Sequence, residues 1–228
     1  PWFKVNYGNP SSPHRAGTEA RNAIKGARVQ LAELIECQPD EIIFTSGGTE
    51  ANNLAFKGLL LEQKPGIFAT SAVEHSSVLQ PAKSLVRNGW QHRQIPVDET
   101  GQLKIAAYDA GASTALLSVM HANNETGVIN PLKALADRIT DNTVLHTDAV
   151  QSCGKVPLSF RGLGVDMMSL SAHKLYGPKG IGALVAKKSL TLTPLIDGGG
   201  QESGLRGGTE NVAAIVGFGA AAVVAKRE

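Results

Sequence analysis

The chain has 228 residues, enough for one substantial buried core. Its 22 basic and 20 acidic side chains nearly balance and form no long single-sign run, which argues against nucleic acid or an anionic membrane surface as partner. The longest apolar stretch, residues 213–225, contains two glycines and falls short of the ~20 residues a membrane span needs, so it reads as a buried helix. No charged stretch followed by an apolar one opens the chain, so no signal peptide is expected, and two cysteines, Cys37 and Cys153, suit a reducing compartment, so the cytoplasm is expected. The start at Pro1 without Met, and a helical pattern running up to Glu228, suggest one domain over 1–228 cut from a longer protein.

In chain order, Ser12-Pro13 reads as a cap and first helical position, followed at helical spacing by Ala20, Ile24, Ala27, Leu31, Leu34 and Ile35. A strand is expected over 41–45, a helix over 49–63, a strand over 67–70, a helix over 77–88 and a strand over 90–95. The pattern continues with a strand over 114–120, a helix over 131–140 and a strand over 144–147. Strands over 167–171 and 181–186 should pair across the turn at Gly177–Gly180, and a helix closes the chain over 210–226. Alternating strands and helices predict an α/β, three-layer sandwich: a mostly parallel mixed sheet covered on both faces. Ligands then bind beyond the carboxyl ends of the strands.

Six polar clusters follow strands or open helices. Thr45-Ser46-Gly47-Gly48-Thr49-Glu50 joins a strand to a helix, so unpaired N–H groups face an anion site or simply a capping turn. Asp148, in His146-Thr147-Asp148-Ala149-Val150-Gln151, ends an apolar strand and either meets a cation such as a protonated pyridine or caps a helix. Lys174, in Ser169 to Gly180, follows another apolar strand and can serve as nucleophile and proton carrier, with Ser171 and His173 beside it as phosphate donors. His75, in Glu74-His75-Ser76-Ser77, can stack on a ring or shuttle protons, or be structural. Asn123-Asn124 and the turn Arg206-Gly207-Gly208-Thr209-Glu210-Asn211 are further ligand candidates, or an ordinary turn and a capped helix start.

The order of these motifs, from Tyr7-Gly8-Asn9-Pro10 to Arg206-Gly207-Gly208-Thr209-Glu210-Asn211, resembles the cysteine desulfurases. These belong to the class V branch of fold-type I pyridoxal-phosphate enzymes, and the chain looks like their group I, of the iron–sulfur cluster assembly and nitrogen-fixation type. The resemblance implies a pyridoxal 5'-phosphate-binding large domain, lacking the family's N-terminal segment and C-terminal small domain. Lys174 would carry the cofactor as a Schiff base, Asp148 pair with the ring nitrogen, and Gln151 bond the phenolic oxygen. His75 would stack on the ring and act as acid or base, and Asn123 contact cofactor and substrate. Gly48 and Thr49, helped by Ser171 and His173, would hold the phosphate, while Thr209 reaches the cofactor of a second subunit in a homodimer. L-cysteine would be the substrate, giving alanine and an enzyme persulfide passed to a sulfur-acceptor scaffold protein; no metal is expected. Neither the family's persulfide cysteine nor its carboxylate-binding arginine has a counterpart here. Cys153 reads as a small buried hydrophobe and Cys37 lies far from every motif, so the chain alone should be inactive. Selenocysteine lyase, class V aminotransferase, and a non-catalytic cofactor-binding or dimerisation module are the competing readings.

Overall fold

A computed structural model describes residues 1–109, 113–139 and 142–228. Helix α1 (Arg15–Ile35) buries Ala20, Ile24, Ala27, Leu31 and Ile35, the stripe its sequence spacing predicts. Its cap is His14, whose Nδ1 accepts from the Gly17 N–H at 3.2 Å, so the helix begins three residues beyond Ser12. Strand β1 (Ile42–Thr45) leads to α2 (Gly48–Asn53), which widens into a π-helical turn at Leu54–Gly58. The helix expected over 49–63 is therefore shorter and irregular. Gly58 C=O accepts from the Thr193 N–H at 2.8 Å, a bond that leaves the helix altogether.

The rest runs β2 (Ile67–Ser71), α3 (Ser76–Arg87), β3 (Gln91–Ile95), β4 (Thr114–Ser118), α4 (Leu132–Ala136), β5 (Val144–Asp148), α5 (Phe160–Leu163), β6 (Met167–Ser171), β7 (Gly182–Ala186) and α6 (Val212–Arg227). Helix α4 stops at Ala136 rather than reaching Thr140, a position outside the described residues. Helix α6 begins after Asn211, whose Oδ1 accepts from the Ala214 N–H at 3.2 Å, the capped start that was one reading of this turn.

The seven strands form one sheet in the order β1-β7-β6-β5-β4-β2-β3. Strands β3, β2, β4, β5 and β6 are mutually parallel, β7 is antiparallel to β6, and β1 is antiparallel to β7. Six strands thus point one way and only β7 is reversed. This is the expected mixed, mostly parallel sheet, with the β6–β7 pairing read from the sequence. Residues of β1 alternate between two cores: Ile42 and Phe44 join α1 and α6, while Ile43 joins α2 and α3. Strands β1, β6 and β7 are buried throughout, as strands covered by helices on both faces should be.

The outer edge of β1 is occupied by side chains. Arg28 donates to Ile42 C=O and, at 2.7 Å, to Glu202 Oε1, while Glu202 Oε2 accepts from the Phe44 N–H at 2.8 Å. Arg28 also lies over the Phe44 ring, 4.7 Å from its centroid. Glu202 and Ser203 are both left-handed, with φ of 46° and 59°, a conformation these residue types rarely adopt unless held.

Candidate active site

With β7 reversed, the carboxyl ends of β1 and β6 lie at the same edge of the sheet, one strand apart. Gly182 of β7 pairs with Thr45 on one side and Ser171 on the other. A Cβ on Gly182 would come within 2.6 Å of Gly47 C and Leu170 O, so only glycine lets the two loops approach this closely. Gly47 itself has φ 154°, ψ −179°, also glycine territory, and turns the chain from β1 into α2. A Cβ on Gly48 would sit 2.8 Å from Val150 Cγ2, which draws in the loop after β5 as well.

These loops enclose a cavity of about 250 Å³, into which Gly48, Thr49, His75, Asp148, Gln151, Ser171, His173 and Lys174 all project. Eight of the ten sequence-predicted residues are therefore brought together. Asn123 is close but turned aside. Its Nδ2 donates to Val73 C=O and its Oδ1 accepts from the Glu125 and Thr126 N–H groups, so it braces its loop while Asn124 lines the cavity. Thr209 is exposed and lies outside this cavity. Arg206, in the same turn, holds Glu50 of α2 through Nε to Oε1 at 2.9 Å.

Asp148 forms the floor, 5% exposed. Oδ1 accepts from the Val150 N–H at 3.0 Å and Oδ2 from Asn52 Nδ2 at 2.8 Å. Burial raises its pKa despite those two bonds and the nearby His75. A carboxylate so placed has a strong demand for a cation or charged donor. Lys174 follows β6 in a single 3₁₀ turn, Ala172–Leu175. Among the described residues it makes no hydrogen bond or ion pair, so its amine is available to a ligand. Ser171 Oγ lies 2.9 Å from His173 Nδ1, and burial together with the charges of Lys174 and Lys179 lowers the His173 pKa.

His75 caps α3: its Nδ1 accepts from the Ser77 N–H at 3.1 Å and lies 2.8 Å from Ser77 Oγ. Because a backbone N–H can only donate, the neutral imidazole carries its proton on Nε2. Behind it, Glu74 Oε1 accepts from Ser71 Oγ at 2.5 Å and from the Met120 N–H at 2.7 Å, whereas Oε2 is buried without a partner among the described residues. Burial pushes the Glu74 carboxyl up to about 8, against both bonds and with Asp148 adding to it. Sequence reasoning assigned no role to Asn52, Glu74 or Ser77. A polar residue inside an otherwise apolar helix face was the available signal for Asn52, and it identifies no partner.

The family described as Aminotransferase class-V matches residues 2–227. The chain belongs to that family. Class-V aminotransferases depend on pyridoxal phosphate. Among curated class-V relatives, Cysteine desulfurase IscS of Dictyoglomus turgidum is 48% identical over 229 residues, covering 97% of this chain and 57% of the relative. Cysteine desulfurase IscS 1 of Archaeoglobus fulgidus is 44% identical and covers 100% and 61%. A solved structure of a NifS-like protein superposes with a TM-score of 0.95 at 39% identity, over 100% of this chain and 64% of that one. A structure described as SspA in complex with cysteine gives 0.92 at 39% identity, over 97% and 66%. The chain thus spans about three fifths of the length of these curated class-V relatives.

The class-V cofactor fits the cavity by the chemistry of its donors. A free lysine amine suits an aldehyde, and a buried carboxylate short of a cation suits a ring nitrogen. Backbone N–H groups beyond Gly47, with Ser171 and His173 opposite, suit a phosphate.

Proposed function

We propose that this chain is the cofactor-binding core of a cysteine desulfurase that takes sulfur from L-cysteine, leaving alanine, for iron–sulfur cluster assembly. The observation that carries the reading is Lys174 and Asp148 on one cavity with the Gly48–Thr49 turn, in a chain 48% identical to a cysteine desulfurase. Bound pyridoxal phosphate supplies an electron sink for the carbanion at the substrate's α-carbon. Lys174 Nζ attaches the cofactor and moves the α-proton. Asp148 stays ionised and keeps the ring nitrogen protonated, and Gln151 donates to the phenolic oxygen. Gly48, Thr49, Ser171 and His173 hold the phosphate. His75 covers the ring face and holds a proton on Nε2, and the Asn123 loop closes the substrate side. Thr209, exposed and outside the cavity, serves the cofactor of a second copy in a homodimer.

Neither cysteine of this chain suits the role of sulfur acceptor. Cys37 and Cys153 are both buried, and burial pushes each thiol up to about 12, so almost no thiolate is present at neutral pH. The accepting thiol and the scaffold that receives the sulfur therefore belong to the rest of the assembly. A cytoplasmic setting accords with the two free cysteines, and among the described residues no helix is long and apolar enough to cross a membrane. The test is reduction with borohydride in the presence of pyridoxal phosphate, followed by peptide mapping. The adduct is expected on Lys174 and should be lost in Lys174→Ala; an adduct retained in that variant refutes the assignment.

A further inference from the structure

Asn52 is the one polar side chain of α2 that is wholly buried, at 0% exposure. Its Nδ2 donates to Asp148 Oδ2 at 2.8 Å and to Ser77 Oγ at 2.8 Å. The orientation of the amide follows from its partners, because an ionised carboxylate accepts only and the two hydrogens of one NH₂ are both used. Among the described residues Oδ1 is left buried with no partner. An unsatisfied buried carbonyl is destabilising, and an apolar side chain of the same size would avoid the penalty. The fold alone gives no reason for this residue, since α2 and the π-helical turn after it pack against α3 and the sheet through Ala51, Leu54 and Ala55. Its two bonds do give one. They join the floor of the cavity to its rim, because Ser77 Oγ, accepting from Asn52, lies 2.8 Å from His75 Nδ1.

We propose that Asn52 is a positioning residue whose single amide holds the Asp148 carboxylate and, through Ser77, the His75 imidazole in one rigid frame, so that the ring nitrogen and the ring face meet groups already fixed in place. The inference rests on the pyridoxal-phosphate reading above and deepens it. A donor on Oδ2 stabilises the ionised carboxylate, the form able to pair with a protonated ring nitrogen. The titratable groups whose charge reaches Asp148 are His75 on the rim and Glu74 behind it. Among the described residues neither hydrogen-bonds Asp148: Glu74 Oε1 accepts from Ser71 and Met120, and His75 Nδ1 accepts from the Ser77 N–H.

The test compares wild type, Asn52→Leu, Asn52→Ala and Ser77→Ala, each confirmed as folded by circular dichroism. In cofactor-free protein, carbon-13 NMR follows the Asp148 carboxyl through its titration and nitrogen-15 NMR follows His75. In parallel, equilibrium dialysis gives the affinity for pyridoxal phosphate itself. Loss of one charge-assisted bond predicts an Asp148 midpoint higher by about one pH unit in both Asn52 variants, with affinity for pyridoxal phosphate weaker by about tenfold or more. Ser77→Ala should leave the Asp148 midpoint in place and move only the His75 signals. An unchanged Asp148 midpoint in both Asn52 variants overturns the inference, as does an Asp148 shift in Ser77→Ala equal to theirs. If wild type failed to bind pyridoxal phosphate, the proposed function would fall, while the Asp148 midpoint in cofactor-free protein would still decide the role of Asn52.

Discussion

Replacing Glu74 by Gln should change how stability depends on pH more than it changes stability at any one pH. The folded protein holds the Glu74 carboxyl at about 8 against an ordinary value of 4.5. A group raised in this way contributes fully below its unfolded pKa and loses that contribution as pH rises towards its folded one. The unfolded chain ionises from pH 4.5 upward and the folded chain does not until about pH 8, so stability falls across that window. Three and a half pH units at about 1.4 kcal/mol each give an upper bound of about 5 kcal/mol, of which about 3 is already lost at pH 7. In Glu74→Gln the side-chain oxygen still accepts from Ser71 and Met120, and the amide nitrogen occupies the place of Oε2, which has no partner. That substitution carries a penalty of its own, but one that does not vary with pH. Urea unfolding of cofactor-free protein between pH 5 and 8 should therefore show wild type losing stability relative to the variant at every step. Parallel curves would mean that Glu74 is ionised in the folded protein, and the account of a neutral carboxyl behind Asp148 would be wrong.

Three other outcomes are expected. Asp148→Asn should weaken pyridoxal-phosphate affinity by about tenfold to a hundredfold, since a charge-assisted bond is worth about 1.5–3 kcal/mol, whereas Cys153→Ser should leave it nearly unchanged; equal losses would remove the distinction. His146 is wholly buried between Ser118 and Ser169, and burial lowers its pKa to about 3. Because the unfolded chain binds the proton from pH 6.5 downward, stability should fall between pH 6.5 and about 3, by up to about 5 kcal/mol, and His146→Gln should flatten that acid limb in urea titrations. The 228-residue chain, loaded with pyridoxal phosphate and mixed with cysteine, should show a shifted cofactor spectrum and a dimer by sedimentation, without steady release of alanine; sustained turnover would mean that Cys37 or Cys153 accepts sulfur after all.

Much of the architecture was legible because strands buried on both faces read as short apolar runs and helices as 3.6-residue stripes. The stripe of α1 and the run of β7 leave little choice of period. Boundaries were harder wherever a long-range contact decides them. His14 caps α1 where Ser12 was expected, and Thr193 takes the carbonyl of Gly58, a partner more than a hundred residues away. Asp148 and Lys174 were legible as polar groups at the ends of apolar strands, while the roles expected of them came from the resemblance to the cysteine desulfurases. Asn52 and Glu74 were not, since their meaning lies in contacts across the sheet, with Asp148 and Met120, that no local pattern encodes.

The occupied edge of β1 bears on how this protein meets others. Exposed sheet edges commonly recruit an extended peptide as an extra strand, or seed aggregates by pairing with another copy. Here the Phe44 N–H and the Ile42 C=O, the groups such a strand would need, are already taken by Glu202 and Arg28. A visitor would first have to displace a charge pair packed on an aromatic ring. This side of the sheet is therefore closed to strand addition, and any protein that docks there must read side chains rather than backbone.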